Sequence, residues 1–336
     1  MKIKILVFIF LIQASFVFGQ KNNPRKYFDN INKAELSIID SNYSKACDYY
    51  KTAFKYLDEP FGKDLSNFLI WGFYTDDSVV LQMCYPKFIE RKYNYGYFSK
   101  IYKSSKLASY WMDIINGSSI KSIIDTNFNN YISELMVLDQ KYRSMESVDN
   151  IIFIQDSINM KNLYEYMQKN NVFLEEKTVG NYANAQNNIN GEILLLHYSQ
   201  SAQFIKNPIN LNLREKVLEG KFDPMFYAHL CDYRGYGLDG NLEIIGCMTP
   251  IYGVNTFVKA ELDTVNFVFL LKEVVYPKFT KKELKQIDKR RKEIYLCSYE
   301  DFVKKMEYEF TNMKRNRNQP KEFKLVDDWN LMMVAE

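Results

Sequence analysis

The chain has 336 residues, of which 47% are hydrophobic, 16% aromatic and 25% charged. This composition supplies ample material for a core and argues against a disordered chain. With 44 basic and 41 acidic residues the formal net charge is only +3. Because a nearly neutral chain has no global field to attract nucleic acid, we expect no nucleic-acid partner.

Residues 1–19 predict a secretory signal peptide. Lys2 and Lys4 give a positive start, residues 5–18 are mostly apolar, and Gly19 precedes the expected cleavage point. The apolar stretch is shorter than the roughly 20 residues that cross a bilayer, which favours cleavage over an uncleaved anchor. We therefore expect an exported protein, periplasmic or secreted, with no integral membrane anchor after cleavage.

Residues 20–125 predict helical hairpins. Small and aromatic residues recur there with spacings of 12, 4 and 3, at Ala34, Ala46, Tyr50 and Ala53. These spacings resemble a tetratricopeptide helix pair. The first two recur at Gly72, Cys84 and Phe88, but Arg91 stands where the pattern expects a small residue.

Residues 126–315 predict an α-rich domain. Amphipathic or buried helices are expected over 131–143, 153–170, 193–205 and 299–310. Asp223 precedes a proline and predicts a further helix start, and Thr280 and Glu283 have the spacing of a capping box.

A small antiparallel β element interrupts these helices. Residues 234–271 predict a β-hairpin because Asp239-Gly240 is a tight-turn signal with strand-like sequence after it. Residues 316–336 are assigned to a C-terminal tail. The predicted fold is mainly α, of the α+β kind, with N-terminal helical hairpins before the α-rich domain.

The five cysteines do not predict a disulfide scaffold, since their number is odd and their density low. Cys47 and Cys84 lie in apolar helical patterns and are expected to be buried free thiols. Free thiols are also favoured for Cys231 and Cys247, although a bond between those two is left open.

No motif predicts a cofactor. The segment 235–240 matches G-x-G-x-x-G, but a strand follows it where a dinucleotide site needs a helix. Phosphate-binding loops of the G-x-x-x-x-G-K-[ST] type and nucleophile elbows are missing from the sequence, as is any zinc-ligand spacing such as HExxH. We therefore expect neither a cofactor nor a metal.

The weak catalytic candidates are His197, His229 and Asp232. His229 and Asp232 are three residues apart, so one helix would present both. The more ordinary interpretation of each histidine is a core residue that is hydrogen-bonded to a neighbour. Arg290 and Arg291 lie in a basic run and point to different faces of their helix, so at least one is expected to turn inward.

Several short motifs, taken in their order, resemble an uncharacterised family of exported proteins common in Bacteroidota. The motifs are LDQKYR (138–143), DSIN (156–159), VG (179–180), LLLHYS (194–199), YAHLCDYR (227–234) and IDKRRKEIYL (287–296). The resemblance covers about residues 126–310 and implies a set of binding candidates: Asp139, Gln140, Arg143, Asp156, Asn159, Arg234, Arg290 and Arg291, besides His197 and Asp232. It implies no known reaction. The chain departs from the family where Tyr233 separates Asp232 from Arg234 and where residues 243–247 read EIIGC.

Two functions are compatible with these patterns. The first is an interaction or structural protein that binds a protein or peptide partner through the helical region. The alternative is an envelope or extracellular hydrolase in which His197 or His229 acts as base, Asp232 orients it and an arginine binds an anionic group. Convergence of the candidates in one open cleft would favour the hydrolase, and burial in closed ion pairs would favour the interaction protein.

Overall fold

The computed structural model describes residues 22–91, 107, 120–144, 149–179, 188–199, 208–232, 251–254, 256–263, 268–315 and 331–335. The predicted signal peptide, Arg234, Cys247 and the first part of the predicted hairpin lie outside the described residues. Within the described ranges, no helix is both long enough and apolar enough to cross a membrane.

Among the described residues, four helices form the N-terminal region: α1 (Pro24–Ile39), α2 (Tyr43–Ala53), α3 (Gly62–Tyr74) and α4 (Val79–Glu90). Eight more follow: α5 (Thr126–Ser144), α6 (Asp149–Asn170), α7 (Glu176–Val179), α8 (Asn188–Ser199), α9 (Pro208–Leu218), α10 (Pro224–Asp232), α11 (Lys281–Glu293) and α12 (Tyr299–Arg315). The predicted mainly α class is confirmed.

Three strands lie late in the chain. They are β1 (Thr256–Asp263), β2 (Val268–Val275) and β3 (Leu331–Ala335). β1 pairs antiparallel with β2 and parallel with β3, so the strand order is β2-β1-β3. The register between β1 and β2 shifts once, between Lys259 and Ala260, as a β-bulge does.

Local sequence explains several helix starts. The Asn23 side chain accepts a hydrogen bond from the Lys26 N–H at 3.0 Å, which caps α1 before the proline at its first turn. The predicted caps at Asp223 and Thr280 are confirmed, since Asp223 accepts from the Phe226 N–H and Thr280 forms the capping box of α11.

The N-terminal hairpins pack through the small residues that the sequence singled out. Ala34 of α1 and Ala46 and Ala53 of α2 are fully buried. A Cβ at Gly72 of α3 would lie only 2.7 Å from the Val80 side chain of α4, so these helices approach as closely as glycine allows. The likeness to tetratricopeptide repeats itself stays a prediction.

The cysteines behave as small core residues. Cys47 and Cys84 are buried free thiols, Cys297 is a half-buried free thiol, and Cys231 is buried. Burial raises the pKa of the Cys47 thiol to about 11, which keeps it protonated at neutral pH.

The C-terminal helix α12 returns to the first helix of the described chain. Lys305 of α12 donates to Glu35 of α1 at 2.5 Å, and both side chains are almost fully buried. On the same pair of helices, Asn32 donates to Asp301 at 3.1 Å. The first and the last of the described helices therefore pack against each other.

Asp64 of α3 makes the stability of this core depend on pH. It is buried, and its Oδ2 accepts from the Tyr27 hydroxyl at 2.6 Å. Burial above all raises its pKa from 3.8 to about 7, against the opposing charge of Lys63. The native state therefore holds a proton that the unfolded chain loses between about pH 4 and 7, and the free energy of unfolding falls as pH rises through that window.

We expect the substitution Asp64→Asn to remove this dependence. As the pH rises from 4 to 8, the free energy of unfolding of the variant should increase by roughly 2–4 kcal/mol relative to that of the parent chain, because an amide is not ionised at either pH. Urea unfolding of both proteins at several pH values measures the difference. A constant difference across the range would show that Asp64 titrates normally in the folded state.

Candidate functional site

Four predicted candidates converge where α5, α6 and α8 pack together. We call Asp139, Arg143, Asp156 and His197 the polar cluster. Asp139 and Arg143 lie one turn apart on α5, Asp156 lies on α6 and His197 on α8. The two carboxylates are buried, whereas the His197 and Arg143 side chains are 18% and 21% exposed. The cluster thus reaches solvent on its His197 and Arg143 side.

Short contacts join all four members. The Nδ1 of His197 lies 3.0 Å from each carboxylate oxygen of Asp139. The Nη2 of Arg143 donates to both oxygens of Asp156 at 2.7 and 2.9 Å, and its Nε donates to Asp139 at 3.2 Å. One guanidinium therefore bridges two buried carboxylates, which offsets much of their mutual repulsion.

The two carboxyl groups ionise differently. Burial opposes ionisation of Asp139, but the hydrogen bond and charge of His197, together with Arg143, outweigh it and lower the pKa. Burial raises the pKa of Asp156, and Arg143 offsets that only in part. Asp139 is thus the more firmly anionic member, and it holds the imidazole of His197 through Nδ1.

Two further candidates from the family resemblance lie on α5 and α6, the helices that carry three members of the cluster. Gln140 donates to the Oδ2 of Asp139 at 2.8 Å. Asn159, one turn after Asp156 on α6, is buried and accepts from Gln155 at 2.7 Å. Its amide Nδ2 is buried and has no hydrogen-bond partner among the described residues.

Asp232, Arg290 and Arg291 form a second group with a different task. The Asp232 carboxylate accepts from the backbone N–H groups of residues 251, 252 and 254 at 2.7–3.2 Å. Arg290 donates to the Ile251 carbonyl at 2.5 Å, and Arg291 donates to the Tyr252 carbonyl at 2.8 Å. Together they hold the segment that leads into β1.

These contacts correct one expectation of the hydrolase hypothesis. Asp139, not Asp232, is the carboxylate that binds His197. The oxygens of Asp232 are committed to backbone N–H groups, and burial raises its pKa despite them. Of the two basic residues, Arg291 turns fully inward as expected, where it donates to the carbonyls of Tyr252 and Cys297 and lies over the Phe302 ring. His229 is buried on α10.

A stripe of isoleucines on the outer side of α6 is a separate candidate surface. Ile151, Ile154 and Ile158 are 45%, 60% and 45% exposed, and the stripe continues with Lys161 and Glu165. The spacings of 3, 4, 3 and 4 place all five on one side of the helix. The predicted helix began at residue 153, so Ile151 and the stripe were missed, although the heptad spacing is readable in the sequence.

Comparisons with known proteins give no family to which the chain can be assigned. No protein-family model, no curated protein and no solved structure matches it significantly. The resemblance to exported Bacteroidota proteins therefore stays a prediction, and the site is argued from the contacts of its own residues.

Proposed function

We propose that this chain is an exported interaction protein that binds a helix of a protein partner through the isoleucine stripe of α6. The observation that carries the proposal is the exposure of Ile151, Ile154 and Ile158 on one side of a 22-residue helix. Single exposed apolar residues are common, but three at consecutive positions of one stripe form a patch that water solvates poorly.

The spacing of the stripe indicates the kind of partner. Residues at alternating intervals of three and four form the seam that one helix presents to another. In the first half of the stripe the seam is apolar, and in the second half Lys161 and Glu165 replace the isoleucines. A partner helix would therefore bury its own apolar residues against the first half and place charged residues against the second.

The hydrogen bonds within the polar cluster also support an interaction protein. Asp139 and Asp156 are buried, and their oxygens accept from Arg143, Gln140 and His197. Buried carboxylates whose bonds are satisfied in this way stabilise and orient packed helices. They thus have a structural role that requires no substrate.

Site-specific photocrosslinking tests the proposal. With a benzophenone amino acid at position 154 or 158, irradiation of the producing cells should give an adduct with the same partner protein, identified by mass spectrometry. The matched control positions are 48 on α2 and 300 on α12, whose side chains are exposed and lie on other helices than the stripe. We expect the control adduct to be at least several-fold weaker.

The double substitution Ile154→Glu with Ile158→Glu provides the second control. Because both side chains are exposed, the variant should unfold within about 0.5 kcal/mol of the parent chain. When the benzophenone amino acid is placed at position 151 of this double variant, the adduct with the partner protein should be lost. Equal adducts at all positions, or none at 154 and 158, would contradict the proposal.

A hydrolase is the second candidate, and the Asp139–His197 contact favours it. A buried carboxylate that fixes an imidazole through Nδ1 is the arrangement that prepares Nε2 to act as a general base. Arg143, at the same partly exposed edge, would then bind an anionic group. Among the described residues the hydrogen-bond partner of His197 is Asp139, which is not a nucleophile of the serine or cysteine kind. In a hydrolase of this type, His197 would therefore activate a water molecule that attacks the substrate.

A further inference from the structure

Three side chains of the polar cluster offer metal-ligand atoms within reach of one another. Asp139, Asp156 and His197 each supply one such atom, and these atoms all lie within 4.8 Å of one another. They come from three different helices, so no local motif such as HExxH announces them. The cluster therefore combines one imidazole nitrogen with two carboxylates.

The Asp139–His197 separation is that of a hydrogen bond and is close to that of two ligands on one ion. The Nδ1 of His197 is 3.0 Å from the Asp139 oxygens. Two ligands that bind one tetrahedral zinc ion at about 2.0–2.2 Å stand about 3.3–3.6 Å apart, only a few tenths of an ångström more. An ion at this point therefore requires little movement of these two side chains.

Asn159 gives an independent indication of a missing polar partner. Its side chain is 1% exposed, and it lies on the same face of α6 as Asp156, one turn along. The amide Nδ2 has no acceptor in the part of the chain that the structure describes. A buried donor without an acceptor costs about 1–3 kcal/mol, and a metal-bound water next to Asp156 would accept from it.

The charges of the cluster also favour a cation. Two buried carboxylates face one guanidinium, so with a neutral imidazole the cluster carries one excess negative charge. Arg143 donates to both oxygens of Asp156. If it kept only one of these hydrogen bonds, the other Asp156 oxygen could bind the ion, and Arg143 would still hold the carboxylate in place. The exposed edge at His197 leaves a route from solvent.

We propose that Asp139, Asp156 and His197 bind one divalent transition-metal ion of the zinc class, with water in the remaining coordination position. Nitrogen and carboxylate ligands together suit zinc better than magnesium, which prefers oxygen alone. Three protein ligands and one open position are typical of zinc sites that activate water. The proposal is independent of the isoleucine stripe.

Titration of the chelator-treated full chain with Zn²⁺ in a calorimeter tests the site. We expect one ion per chain, with binding at least tenfold weaker in the variants Asp139→Asn and His197→Gln. Asp48→Asn is the control, since it removes an exposed carboxylate from α2 and should leave the affinity unchanged. Failure of the parent chain to bind one equivalent would overturn the proposal, whatever the variants do.

Cobalt gives a second readout that depends on the ligands and not only on affinity. Co²⁺ in place of Zn²⁺ should produce visible absorption bands of a low-coordinate site, and His197→Gln should shift or abolish them because the only nitrogen ligand is lost. Circular dichroism of each variant shows whether it folds. Folded variants that bind as tightly as the parent, with unchanged bands, would contradict the assignment of these ligands.

Discussion

Replacement of Arg91 by leucine should destabilise the protein by about 3 kcal/mol. Arg91 follows α4 directly and is 1% exposed. Its guanidinium donates to Glu59 at 2.8 Å, to Glu176 of α7 at 2.7 Å and to the Pro60 carbonyl at 2.8 Å. Leucine would leave all three acceptors without this donor, and urea unfolding measures the loss.

Lys87 provides the matched control, because it donates to the same Glu59 at 2.8 Å from a more exposed position. Lys87→Ala should cost at most about 1 kcal/mol, as surface ion pairs do. Arg91→Lys keeps the charge but cannot donate to all three acceptors, so the stability it loses should lie between the losses of Lys87→Ala and Arg91→Leu. Equal losses for Lys87→Ala and Arg91→Leu would show that the buried position of Arg91 adds nothing.

The substitution Lys305→Met should cost about 3–5 kcal/mol, because it leaves the buried Glu35 without its closest cation. Lys63 is the other cation near Glu35, at 3.6 Å. Removing the carboxylate as well should recover most of the loss, since buried ion pairs are often replaceable by apolar pairs of similar volume.

A double-mutant cycle separates the pair from its surroundings. Urea unfolding of the parent, Lys305→Met, Glu35→Leu and the double variant gives the coupling energy directly. We expect the free energy of unfolding of the double variant to be well above that of Lys305→Met. A double variant whose loss equals the sum of the two single losses would show that the two charges do not interact.

Much of the fold could be predicted from sequence because the signals are local. Asn23, Asp223 and Thr280 mark helix starts by the chemistry of their own side chains. The small residues of α1 and α2 indicated where those helices touch. The N-terminal end of α6 was placed four residues late, as helix boundaries are the least determined feature of a periodic pattern.

The candidate site was predictable only in part. The order of short motifs selected Asp139, Arg143, Asp156 and His197, and the structure brings these four together. Which carboxylate would bind which histidine was not predictable, since sequence proximity paired Asp232 with His229, whereas tertiary packing places Asp139 against His197. Arg91 departs from the repeat pattern, and in the structure it is a buried residue that forms ion pairs with Glu59 and Glu176. These ion pairs were not predictable, because both partners are distant from Arg91 in the sequence.

The return of α12 to α1 has a consequence for biosynthesis. Glu35 and Lys305 are 270 residues apart, so the buried carboxylate of α1 gains its closest cation only after α12 has been made. Until then a ribosome-bound or truncated chain exposes the surface of α1 that α12 covers. Completion of the native core is therefore one of the last events in the life of the growing chain, and a chain that ends before α12 should be recognised as unfinished by chaperones and proteases.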